Sequence, residues 1–248
     1  MQIQLIRNAT LRVHYGGKLI LIDPDLGDKH TRDPLAGQSR NPTVDLPISA
    51  IQVIDGIEMV LVSHLHQDHF DAAAQEMLQK DLPLFCQPED EPTIREYGFA
   101  AVHPIDQNVI WEGITIARTP AQHGSGVWAE RLAPVSGFVF KADGEPTLYW
   151  TGDTIYYPAV KYVFDEVIPD VIVTHSGGAQ LGESRPIIMD IEQTLIVCNA
   201  APRAKVVAVH LEALDHCPVE RAELEAAAQG SGFMDRVFIP VDGEMLTF

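Results

Sequence analysis

The chain has 248 residues, of which 46% are hydrophobic and 21% charged, and its formal net charge is −18. No apolar run approaches the roughly 18 residues of a membrane span, and no Lys/Arg cluster offers the basic patch that nucleic acid requires; membrane and nucleic-acid partners are therefore not expected. Three widely spaced cysteines (Cys86, Cys198, Cys217) argue against a disulfide framework, and an N-terminus that alternates like a strand, with no signal-like apolar block, leads to the expectation of a cytoplasmic protein.

In chain order the opening reads as strands. Ile3 and Leu5 alternate with glutamines, Leu11 and Val13 follow, and the apolar run 19–22 comes after a Tyr15-Gly16-Gly17 turn. Residues 27–50 lose all apolar periodicity and gather Pro, Gly, Asp and Arg. A loop this long in a compact domain is usually functional, so we expect an active-site flap. A buried strand over 58–64 leads into a helix over 71–80 with Asp71 as N-cap. A short strand (82–86), a short helix ended by Gly98, and two hairpins (108–123 and 135–154) follow. Strand 170–178, helix 190–200, a strand from 204, a helix over 218–230 capped by Gly230, and two closing strands complete the chain. With no composition break, the pattern describes one domain, 1–248, of mixed sheets with helices outside.

Residues 63–71 read SHLHQDHFD, placing three of the ten histidines and two aspartates in nine positions. On an extended segment His64 and His66 point the same way and can bind one metal. Asp68 and His69 come where the chain leaves the strand, which suits a second metal. Imidazole with carboxylate suits zinc, manganese or iron. These four residues cannot complete two sites. The missing ligands are sought at later strand ends, where His123, Asp153 and His210 stand; His175 and His216 are competing candidates for the last position.

The motif H-x-H-x-D-H followed by a single His, a single Asp and a final His resembles the metallo-β-lactamase superfamily. The opening through the "IDP" segment at 22–24 is similar to its ascorbate-6-phosphate lactonase subgroup. The resemblance implies an α/β (α+β) four-layer αβ/βα sandwich with a binuclear centre, most readily of zinc or manganese. In it His64, His66 and His123 would hold one metal, and Asp68, His69 and His210 the other, with Asp153 bridging. A metal-bridged hydroxide would then attack a small-molecule ester, lactone or phosphodiester. Asp68 would take the proton, and His175, His216 or a metal-bound water would protonate the leaving group. Asp23 is a candidate to orient a ligand imidazole. Arg32 and Arg40 are candidate anion contacts, and Trp128, Tyr156 and Tyr157 candidate pocket walls. The competing expectation is a metal-binding scaffold or regulator of the same fold without turnover. The sequence sets no oligomeric state.

Overall fold

The computed structural model describes residues 1–248. Its strands are β1 (Gln2–Arg7), β2 (Thr10–Tyr15), β3 (Lys18–Ile22), β4 (Met59–Val62), β5 (Leu84–Cys86), β6 (Val102–Pro104), β7 (Asn108–Trp111), β8 (Ile114–Pro120), β9 (Ser136–Lys141), β10 (Leu148–Trp150), β11 (Val171–His175), β12 (Lys205–Val209), β13 (Val237–Phe238) and β14 (Met245–Thr247). The helices are α1 (Ala50–Ile54), α2 (Ala72–Met77), α3 (Glu91–Glu96), α4 (Val127–Arg131), α5 (Pro158–Val167), α6 (Ile191–Ala200) and α7 (Arg221–Gly230).

The strands form two seven-stranded sheets, ordered β14-β1-β2-β3-β4-β5-β6 and β13-β12-β11-β10-β9-β8-β7. Each is mixed in the same way. Antiparallel hairpins supply one half, and the other half, β3 to β6 or β10 to β13, is parallel. Parallel strands need both faces covered, and three apolar clusters provide that cover. The central one packs sheet on sheet, with Leu5, Tyr15, Leu61 and Phe85 of the first against Phe138, Trp150, Val173 and Val207 of the second. A second lies between the first sheet and α1 to α3 around Val60, Phe70 and Ile94. The third lies between the second sheet and α5 to α7 around Tyr149, Phe164, Val197 and Ala228. The result is the four-layer αβ/βα sandwich.

Several boundaries differ from the sequence reading. The helix begun at Asp71, whose side chain accepts from Ala74 N, stops at Met77 and not at residue 80. The last helix runs through Gly230, and the left-handed residue is Gly232. The second strand of the 108–123 hairpin stops at Pro120, so His123 lies in the following loop. Helices α1, α4 and α5 and strand β6 had no sequence assignment. Of these α5 had a readable signal, because Val160, Val163 and Phe164 recur at helical spacing and are the residues it buries.

Candidate metal centre

The candidate ligands converge at the carboxyl ends of the central strands. His64 and His66 follow β4, His175 ends β11, and His210 directly follows β12. Asp153 follows β10 after a turn that only glycine permits. Gly152 has φ +66°, and a Cβ there would stand 2.3 Å from the Ser136 carbonyl oxygen. His210 itself sits at φ +62°, held by its N–H on the Asn8 carbonyl at 2.9 Å.

Two groups of ligand atoms form around the buried Asp153. One is His64, His66, His123 and Asp153; the other is His69, Asp153, His175 and His210, with all atoms of each group within 4.8 Å of one another. Asp153 Oδ2 lies 3.2 Å from His123 Nε2, 3.3 Å from His69 Nε2 and 3.8 Å from His64 Nε2. Its Oδ1 lies 3.7 Å from His210 Nε2 and 2.5 Å from His175 Nδ1. His64 Nε2 and His66 Nδ1 are 2.9 Å apart. Asp68 Oδ2 stands 3.1 Å from His210 Nε2 and 3.3 Å from His69 Nε2. Donors around a tetrahedral ion with bonds near 2.0–2.1 Å are about 3.3 Å apart, so the imidazole and carboxylate spacings suit metal ligation.

The outer hydrogen bonds support the same conclusion. His123 Nδ1 donates to the Ile187 carbonyl at 2.9 Å, and His69 Nδ1 to Asp23 Oδ2 at 2.8 Å. In the neutral rings both Nε2 atoms therefore carry lone pairs, and both face the Asp153 carboxylate. His69 Nε2 has no hydrogen-bond partner at all. Lone pairs directed at a buried carboxylate are repulsive unless a proton or a metal ion stands between them, and the carboxylates that raise His69 favour either one. The donor set fits divalent ions.

The two clusters differ in their electrostatics. Burial pushes His64 well below the usual imidazole value, helped by the neighbouring His69 and His66. His66 is lowered to about 4, chiefly by burial. Burial alone would raise Asp68 and Asp153, but the surrounding imidazoles outweigh it and hold both well below the ordinary carboxylate range. In the second cluster the carboxylates win over burial: Asp153, Asp68 and Asp23 hold His69, and Asp153 with Cys217 and Asp68 holds His210, well above the usual imidazole value, so a metal binding there displaces protons from these two rings.

Asp23 carries the supporting shell. Its Oδ1 accepts from Ser63 N at 2.7 Å, and its Oδ2 accepts from Ser63 Oγ at 2.6 Å as well as from His69. Ser63 Oγ in turn stands 3.0 Å from His64 Nδ1. Cys217 Sγ lies 3.7 Å from His210 Nδ1, a contact that no local motif foretells.

The centre opens into a cavity of about 360 Å³ lined by His66, Asp68, His123, Asp153 and His210, by His216, and by residues 32–35 and Asn41 of the long loop. Several sequence expectations are corrected here. His175 is fully buried, packs edge-on to Trp150 and does not line the cavity. Its Nδ1 stands on Asp153 Oδ1, a contact to a ligand carboxylate and not to the cavity. Arg32 lines the cavity, but its guanidinium is taken up by both carboxylate oxygens of Asp25 at 2.5 and 2.9 Å. Arg40 is exposed and pairs with Asp33. Tyr156 and Tyr157 pack against the α5 side of the second sheet, and Trp128 packs behind the cavity wall. His103 stacks on Phe85, away from the site.

A double His/Asp centre at the strand ends of an αβ/βα sandwich defines the metallo-β-lactamase fold class. The chain belongs to the β-lactamase superfamily: the model of the Beta-lactamase superfamily domain matches residues 18–211. It is 38% identical to the UPF0173 protein YddR of Bacillus subtilis (strain 168), over 100% of both chains. Among solved structures it resembles an isothiocyanate hydrolase from Delia radicum gut bacteria, with 35% identity and a TM-score of 0.95 over 100% of this chain and 99% of that one. A possible metal-dependent hydrolase from Veillonella parvula gives 33% identity and a TM-score of 0.96 over the same shares. No helix is long and apolar enough to cross a membrane.

Proposed function

We propose that this metal-dependent hydrolase of the β-lactamase superfamily uses a binuclear centre, with zinc as the preferred ion, to hydrolyse a small neutral molecule at an electrophilic carbon. The observation that carries this reading is Asp153, shared between two imidazole clusters that open into one cavity. His64, His66, His123 and Asp153 would hold one ion; His69, His210, Asp153 and Asp68 the other. An imidazole-rich set with few carboxylates favours zinc over manganese. Divalent ions there would supply an activated water and Lewis-acid polarisation of the electrophile.

The chain's own groups divide the remaining work. Asp68, ionised and steadied by Asn8 Nδ2 on Oδ2 at 3.3 Å, takes the proton from the attacking water at Oδ1, the oxygen left over when Oδ2 faces His69 and His210. His175 fixes Asp153 through Nδ1. His216 lines the cavity without belonging to either cluster, and its ring N–H is the donor for the departing atom. The substrate class follows from charge. Arg32 is the only Lys or Arg in the cavity lining, and Asp25 occupies it. A phosphodiester or phosphorylated lactone would find no free cation among the side chains, whereas a neutral ester, lactone or isothiocyanate needs none. For an isothiocyanate, water adds to the central carbon, the carbon–nitrogen bond breaks, the nitrogen receives both protons, and the products are an amine and carbonyl sulfide.

The test is metal content of wild type and Asp153→Ala, with turnover of an alkyl isothiocyanate, a lactone and a bis-aryl phosphodiester. Two ions per chain in the wild type, loss of metal and turnover in the variant, and little phosphodiester cleavage are expected. Metal-loaded wild type that cleaves the phosphodiester best would refute the neutral-substrate reading.

A further inference from the structure

Beside Leu65, which packs into the core between the first sheet and its helices, five apolar residues of the cavity have no part in metal ligation. Ala179, Ile187 and Leu214 belong to a satellite core separate from the three main clusters, with Leu132 packed against it. All four also line the cavity. The fifth is Leu35, in the long loop, which lines the same cavity while remaining 68% exposed.

A satellite core does not need an open face, and a leucine at a loop tip gains nothing by facing water. The wall is also tied to the centre, because Ile187 accepts the His123 Nδ1 hydrogen bond through its carbonyl while its side chain lines the cavity. The loop that presents Leu35 is anchored at its far end. Ser39 N and Asn41 Nδ2 donate to the Asp215 carboxylate at 2.8 and 3.1 Å, Asp215 N donates to Asn41 Oδ1 at 3.0 Å, and Thr43 N donates to the Ala213 carbonyl at 2.8 Å. Leu35 is therefore carried on a segment clasped to the stretch that contains Leu214. Asp33 beside it is acidic and Arg32 is spent on Asp25, so an anionic substituent has no counter-charge here.

We propose that Leu35 and the Leu132–Ile187–Leu214 wall form a subsite for an apolar substituent of the substrate, an alkyl or arylalkyl group attached to the reacting carbon or its leaving atom. The subsite rests on the binuclear-hydrolase reading, since the centre fixes the polar end of the ligand. The volume, about 360 Å³, falls in the range of small-molecule sites, which are apolar with a few fixed polar groups. Leu35 is the specificity-determining residue because it is the most exposed of the apolar lining groups and so has the most surface for a ligand to remove from water.

The test separates the subsite from the centre. Zinc content is measured first. Calorimetry then reads the affinity of the zinc-loaded protein for straight-chain hydroxamates from acetohydroxamate to hexanohydroxamate, in wild type, Leu35→Ala and Leu35→Asp. Affinity should rise about fourfold per methylene in the wild type, as expected for methylenes leaving water. Leu35→Ala should reduce that slope. Leu35→Asp should weaken hexanohydroxamate about tenfold and leave acetohydroxamate unchanged. Leu35 is exposed, so both variants should fold. A flat chain-length series on zinc-loaded wild type, no hydroxamate binding at all, or equal weakening of every hydroxamate in Leu35→Asp overturns the subsite and leaves the metal centre standing. Failure to load zinc overturns both.

Discussion

Asp23 Oδ2 stands 2.8 Å from His69 Nδ1 and 2.6 Å from Ser63 Oγ, so one carboxylate oxygen supports ligands of both clusters. The backbone pays attention to placing it: Asp23 adopts φ +46° at the end of β3, and Thr10 Oγ1 donates to its carbonyl at 2.7 Å. Outer partners of this kind orient a ligand imidazole and raise its basicity.

Asp23→Asn should therefore lower metal affinity about 10- to 100-fold, the usual effect of losing such a partner. An amide has one acceptor oxygen where the carboxylate uses two, and it faces three donors. Asp23→Ala adds an unfolding penalty of about 1–3 kcal/mol for the donors left unpaired. Competition with a chromogenic chelator measures the first effect and urea unfolding the second. Unchanged zinc affinity in both variants would show that His69 needs no fixed partner.

Arg32→Ala should loosen the long loop. Asp25 is fully buried, with Arg7 at 3.3 Å and Arg32 as its two cationic neighbours. Removing one leaves a buried carboxylate half compensated, at a cost of about 1–3 kcal/mol. Hydrogen exchange of residues 27–43 should rise while the core strands keep their protection. If the variant instead kept wild-type stability and lost affinity only for anionic ligands, Arg32 would be an anion contact and the neutral-substrate reading would weaken.

The ligands and the loop differ in how far the sequence exposes them. SHLHQDHFD concentrates a site in nine consecutive residues, and strand ends downstream mark His123, Asp153 and His210. Local chemistry sufficed there. His175 stands among the candidates to support a ligand or touch substrate, but its partner was not readable, because only the parallel pairing of β10 and β11 brings its Nδ1 onto Asp153. Cys217 was opaque for the same reason: its contact with His210 closes across a loop whose path no periodicity records. The sandwich itself rested on alternation in β1 to β3 and on apolar runs in β4, β11 and β12, which periodicity reveals. Short elements such as α4 and β6 carry too few residues for a period to register.

Asp90 offers a pH test away from the centre. Burial raises its carboxyl to about 6, against the opposing hydrogen bond from Gln87 Nε2 at 2.9 Å. Its unfolded value is 3.8. Between these values the unfolded chain has released the proton and the native chain retains it, so this group's contribution to stability falls as pH rises through the window and levels off above about 6. Asp90→Asn keeps an acceptor for Gln87 and removes the titration. Its stability relative to wild type should increase by about 1–2 kcal/mol between pH 4 and pH 7, a range discounted for solvent screening. Parallel stability curves for the two proteins across that range would exclude a raised Asp90.

Cys217 distinguishes the two metal positions. His123 and His69 rest their Nδ1 atoms on oxygen acceptors, whereas His210 Nδ1 has a sulfur at 3.7 Å, a weaker acceptor at longer range. Cys217→Ala removes that support from the second cluster alone, because His64, His66 and His123 do not touch it. The second ion should weaken by about tenfold, the lower end of the outer-partner range. Titrated with a chelator, the variant should pass through a one-ion plateau at concentrations where wild type still holds two. Cys217→Ser should not restore the wild-type curve, since the shorter C–O bond leaves the hydroxyl farther from Nδ1. Loss of both ions together at the wild-type chelator concentration would mean that sulfur contributes nothing to His210, and that the two positions are bound as one cooperative unit through Asp153.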